Sequence, residues 1–200
     1  MTKLLCLGLL ATGLVIAQEM PVMPYDSLME DRVSVDGWVE REDGEFEYPA
    51  ELKNPATGMT VSWGYDDSLV YVAVETRGKG WFGFGLGSAT MAGSYFWLGF
   101  YDDDSVELYN LVGVGHGHEL AGHADSLAYD WDVDFDDETG VRCLEVVFPL
   151  RWSDEGTSGG DNAVLKKAAI PGLEPGDIYD MVLAQNTRTA SLDAGHTHRA

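Results

Sequence analysis

From residue 59 onward, apolar and polar positions alternate in short runs separated by turn residues. Period-two alternation of this kind marks half-buried strands. It predicts strands over Met59–Tyr65, Leu69–Thr76, Gly80–Leu86, Tyr95–Tyr101, Val106–Val114, Tyr129–Phe135, Val141–Leu150 and Ile178–Gln185. "YDDS" at Tyr65–Ser68 and "DDETG" at Asp136–Gly140 have the composition of hairpin turns. One helix is predicted in "DNAVLKKAA", with Asp161 as N-cap and Pro171 beyond its end. Strands at this spacing, with few helical segments, predict an all-β chain. The expected architecture is an immunoglobulin-like sandwich of two sheets with about eight or nine strands and one short helix.

The run from Gly80 to Asp104, "GWFGFGLGSATMAGSYFWLGFYDDD", breaks the ordinary pattern. On its first strand Phe82, Phe84 and Leu86 share one face, while Trp81, Gly83, Gly85 and Gly87 share the other. On the second, Phe96, Leu98 and Phe100 alternate with Tyr95, Trp97, Gly99 and Tyr101. Glycine inside a strand often marks the close approach of a ligand or another backbone. Gly83 and Gly85 beside Trp81, Tyr95, Trp97 and Tyr101 would form a shallow slot for a flat apolar ligand. The same face would otherwise be a second core covered by the 153–180 segment. Met91 lies in the connection, among small residues with little apolar mass. A thioether held there suits a soft axial ligand to haem iron, usually opposite a histidine.

The N-terminus has a different pattern. Lys3, the apolar run Leu4 to Ile16 and the small residues ending at Ala17 have the layout of a secretory signal over residues 1–17. The run is shorter than the roughly 20 residues a membrane span needs. Export to a periplasmic or extracellular space is therefore expected, with no membrane insertion once the signal is cleaved. Residues 18–34 have no clear period and form an irregular lead-in, and 35–200 suit one domain. After cleavage Cys143 is the one remaining cysteine, inside a strand-like run, so no internal disulfide forms. No CxxCH is present for covalent haem attachment. The formal charge is −22, which repels nucleic acid and anionic lipid and suits either a solvated surface or a docking face for a cationic redox partner.

Five histidines fall in two groups, "HGHELAGH" with His116, His118 and His123, and "HTHRA" with His196 and His198. The first invites a zinc or copper reading by its HxH spacing, but it lacks a cysteine or a carboxylate at a recognised interval. A polar loop is the simpler account. "YDWDVDFDDETG" fails the calcium-loop pattern, because Phe135 stands where glycine is required. There is no GxSxG, and Cys143 has no histidine near it in sequence, which argues against a hydrolase.

Taken in order, several segments resemble the DOMON family, β-sandwich modules that bind haem or sugars outside the cell. "VDGWVEREDGEFEYPAEL" is similar to its opening DG…EY element, and "YDDSLVYVAVET" to the strand pair after it. "GKGWFGFGLG" and "ATMAGSYFWLGFYDDDSVEL" resemble the glycine-rich strand and the M-x-G block. "LEVVFPL" and "DAGHTHRA" resemble the late strand and the closing H-x-x-R element. Tyr95 replaces the acidic residue expected after "MAGS", and Ala200 the final glycine. The resemblance implies non-covalent haem b with Met91 and His196 as axial ligands, His198 as the alternative, and Arg199 as the motif arginine. It implies electron transfer rather than catalysis, with a redox partner protein or oxidoreductase subunit. Its other implied use is carbohydrate binding, with Trp81, Tyr95, Trp97 and Tyr101 stacking on sugar rings.

Overall fold

The computed structural model describes residues 22–41, 46–102, 105–115, 117–123, 128–151, 172–188 and 198–199. The expected helix after Asp161, the signal segment and His196 lie outside these residues. The described part is a two-sheet antiparallel sandwich. One sheet is built from β1 (Ala50–Lys53), β2 (Thr60–Tyr65), β3 (Leu69–Arg77), β8 (Asp130–Asp136) and β9 (Val141–Pro149), in the order β1-β2-β3-β9-β8. The other contains β4 (Phe82–Leu86), β5 (Tyr95–Asp102), β6 (Ser105–Val114), β7 (Gly117–His123), β10 (Met181–Gln185) and β11 (His198–Arg199), in the order β11-β10-β4-β5-β6-β7.

Each of the eight strands expected from alternation is present, with ends shifted by up to three residues. β1, β7 and β11 are additional. All three are short or carry polar residues, and pairing to a neighbour rather than their own alternation makes them strands. The two expected hairpins close as read. Asp66 N donates to Leu69 O, and Gly140 N, on a residue at φ +70°, donates to Asp136 O.

The main core lies between the sheets. Val70, Val72 and Val74 from β3 and Leu144, Val146 and Phe148 from β9 meet Phe82, Phe84 and Leu86 from β4 and Tyr95 and Trp97 from β5. The Trp97 ring stacks on Phe148 at 4.2 Å and on Phe84 at 5.1 Å, which ties the two sheets together. A polar latch sits at one margin. Thr76 Oγ1 donates to Gln185 Oε1 at 2.6 Å, and Gln185 Nε2 donates to Thr57 O at 2.7 Å.

A second core covers the outer face of the five-stranded sheet. The lead-in contributes a short helix, α1 (Met29–Arg32), and Met29 is wholly buried against Tyr48, Tyr71, Ala73, Cys143 and Val147. Cys143 is a buried free thiol, as its strand position implied. Glu145 lies at the centre of this layer. It accepts hydrogen bonds from Asp36 N at 3.0 Å, Gly37 N at 2.9 Å and Tyr48 Oη at 2.7 Å. Gly37 is at φ +83°, and a Cβ there would stand 2.7 Å from Asp134 Cβ, so glycine is required. The DG and EY elements and the glutamate of "LEVVFPL", far apart in sequence, therefore meet at one carboxyl group.

Burial pushes the Glu145 carboxyl up to about 7, against the downward pull of its three donors. Below pH 4.5 the group is protonated in both folded and unfolded chains. Between pH 4.5 and about 7 the folded chain keeps a proton that the unfolded chain has released, so stability falls as pH rises through that window. The expected size is on the order of 3 kcal/mol. Urea midpoints at pH 5 and pH 8 for the wild type and Glu145→Gln test this. The difference between the two proteins should change across the window. A constant difference would show that Glu145 does not titrate there.

Candidate functional site

The site expected on β4 and β5 depends on which residues share a face, and the strand register decides that. Phe84 pairs with Trp97, Leu86 with Tyr95, and Gly85 with Phe96. Directly paired residues in an antiparallel ladder lie on the same face. Tyr95 and Trp97 therefore face the opposite sheet with Phe82 and Phe84, and both are wholly buried in the main core. They are not walls of the glycine face, which corrects the expectation for these two residues. It also removes them as a stacking platform for sugar. Each strand alternates as expected; the relative phase of the two strands differs, because it is set by pairing. Tyr101 pairs with Val106, and its side chain is outside the described set.

The glycine face looks away from the other sheet. Its side chains are Trp81, Phe96, Leu98, Phe100, Leu111 and Ala184, all at most 6 % exposed, with Met91, Tyr109 and Val182 packed against them. Gly83 and Gly85 do lie here, but they leave no open slot. A Cβ at Gly85 would overlap the Phe96 ring, and one at Gly83 would overlap the Trp97 carbonyl and stand 2.9 Å from Leu98 Cδ2. The glycines let the β5 side chains lie flat on β4. The result is an aromatic and aliphatic sheet surface with Trp81 on it, as expected. Phe96, Leu98, Phe100 and Leu111 are the wall residues that sequence reasoning missed. Their alternation on β5 and β6 was visible, but their facing was not.

Met91 sits at the rim of this surface in a firmly held connection. Gly87 at φ +101° and Gly93 at φ +85° turn the chain. Ser94 Oγ donates to Thr90 O at 2.7 Å and Ser88 O at 3.0 Å, and Ser94 N donates to Met91 O at 3.2 Å. Gly93 N donates to Gly113 O and Gly113 N to Ser94 O, each at 2.9 Å, which fastens the loop to β6.

The C-terminal element pairs with the same sheet. Gln185 is opposite His198, and Ala184 is opposite Arg199. Ala184 belongs to the glycine face, whereas Gln185 points to the other sheet through its bond with Thr76. β11 thus lies at the Phe82–Gln185 end of the β4–β10 ladder, and the Met91 loop at the Leu86–Met181 end. The stretch read as a polar loop with HxH spacing is instead the edge strand β7, with His118 exposed. Among the described residues, no group of three or more His, Cys, Asp or Glu side chains is placed to hold a metal ion. No described helix is long and apolar enough to cross a membrane.

The described part of this arrangement suits a non-covalent haem. It offers one neutral, soft sulfur donor at the rim of an apolar face whose clustered members carry no formal charge. Met91 would help hold the iron, and Trp81, Phe96 and Leu98, already packed into a closed apolar face, would keep water from that side of the cofactor.

No family model matches the sequence, and no curated protein matches it either. Among solved structures, the chain is similar to the cytochrome b domain of pyranose dehydrogenase from Coprinopsis cinerea, with a TM-score of 0.53 and 13 % identity. The match covers 84 % of this chain and 85 % of that one. At this identity the likeness is one of fold, a two-sheet β-sandwich shared along most of both chains.

Proposed function

We propose that this chain is an exported, haem b-binding domain that carries electrons, a DOMON-type cytochrome module working beside an oxidoreductase. The observation that carries this reading is the position of Met91 at the rim of the buried aromatic face of the six-stranded sheet, the sheet whose edge is β11. The resemblance of "ATMAGS" and "HTHRA" to the family's ligand motifs supports it, as does the fold shared with a cytochrome b domain.

In this reading Met91 and His196 would hold the haem iron, with His198 as the alternative and Arg199 as a cationic partner for the cofactor's carboxylates. When bound, haem b would supply a one-electron couple, whose potential methionine–histidine ligation would raise. The chain's own part is to exclude water with Trp81, Phe96 and Leu98, and to hold the thioether in place through the Ser94 bonds. The chain then acts as a carrier, not a catalyst, and its acidic surface suits a cationic redox partner.

The test is a visible spectrum of the protein, expressed with ample haem, before and after dithionite. A Soret band that sharpens and shifts on reduction, with resolved α and β bands, is expected. A colourless protein that also fails to take up added haemin at one per chain would sink the reading.

A further inference from the structure

Met91 has a second neighbour that electron transfer does not use. β6 and β7 pair with Gly113 opposite His118, and Leu111 opposite Leu120. Leu111 is on the aromatic face and Val112 in the main core, so alternation puts Gly113, and His118 across from it, on the aromatic side of the sheet. Gly113 has no side chain, and Met91 takes the vacant place. A Cβ at Gly113 would overlap the Met91 carbonyl and stand 3.2 Å from Met91 Cγ. Cross-strand Cβ positions are about 4.5–5.5 Å apart. Met91 Cγ therefore lies within about 9 Å of His118 Cβ, in a loop fastened to β6 by two backbone bonds. His118 is exposed and Met91 half-buried, so the pair straddles the edge between the apolar face and water.

Both side chains lie on the aromatic side of the six-stranded sheet, His118 from β7 and Met91 from the loop seated on β6. Axial haem ligands approach from opposite faces of a flat ring, which neighbours of this kind do not do. A bare ion, in contrast, suits two adjacent donors. The donors are a thioether and an imidazole, a set that selects Cu+ over magnesium, calcium or manganese. The net charge of −22 favours a cation at this rim.

We propose that Met91 and His118 form a Cu+ site on the aromatic side of the six-stranded sheet. The site does not depend on the haem reading. It shares the Met91 thioether with it, so copper and haem compete for one chain.

The test is an anaerobic titration of the full-length protein, purified without added haem, against Cu+ held as its coloured bicinchoninate complex. About one Cu+ per chain should be withdrawn from the chelator. Met91→Leu and His118→Ala should each weaken binding by about tenfold or more, since even outer-shell changes at metal sites have effects of that order. His198→Ala should bind as the wild type. Leucine conserves the volume of methionine and His118 is exposed, so both variants should fold. A wild type that leaves the copper with the chelator would overturn the proposal. So would His118→Ala or Met91→Leu binding with unchanged affinity.

Discussion

Trp97→Ala is expected to lower the free energy of unfolding by about 3–5 kcal/mol, read from urea denaturation followed by circular dichroism. The indole is wholly buried, stacks on Phe148 at 4.2 Å and Phe84 at 5.1 Å, and meets Tyr95 edge-on at 4.5 Å. Its removal leaves a cavity at the junction of the two sheets, bounded by strands that cannot close it. Against the roughly 5–15 kcal/mol that holds a typical domain together, the loss is a large share. Trp97→Phe fills most of the volume and should cost much less. The pair also tests the register. If Trp97 is in the core, Trp97→Phe leaves haem uptake and the visible spectrum unchanged. A shifted Soret band with unchanged stability would instead place the ring against the ligand and contradict the observed pairing.

Met91→Leu is expected to convert six-coordinate, low-spin haem to a five-coordinate, high-spin form, or to lower the potential by on the order of 0.1 V, a fraction of the roughly 0.8 V over which axial ligands tune haem. Leucine keeps the volume and apolar character that pack against the aromatic face, so the change is confined to the sulfur. Spectroelectrochemical titration measures both effects. His196→Ala should have a comparable effect and His198→Ala little, because the proposed second ligand is His196. If Met91→Leu leaves spin state and potential as they were, Met91 is not a ligand. If His198→Ala alone disrupts the spectrum, the second ligand is His198.

The loop that presents Met91 shows how a local sequence becomes a site. "GSATMAGS" has two residues whose positive φ only glycine adopts readily, and a serine that binds two carbonyls of its own loop. Those elements are contiguous in sequence and were legible there as a small-residue connection. Seating the loop on Gly113 was not legible, since β6 is a separate strand whose glycine could equally have been a bulge. Glu145 makes the same point for the other sheet. Its position in "LEVVFPL" reads as one polar residue in an apolar strand, and only the packed lead-in supplies the three donors that make it an anchor.

The sequence by itself determined the class of the protein. Alternation is a property of one strand, turn chemistry belongs to a few adjacent residues, and neither needs to know what lies across the sheet. Eight strands, two hairpins, the buried Cys143 and the small-residue loop around Met91 could therefore be read along the chain. Tertiary structure decided everything that depends on pairing between strands. A shift of one residue in register turns every side chain of a strand to the other face. That phase sent Tyr95 and Trp97 into the core, turned Phe96 and Leu98 onto the glycine face, made a strand of the histidine-bearing stretch, and set His118 opposite Gly113.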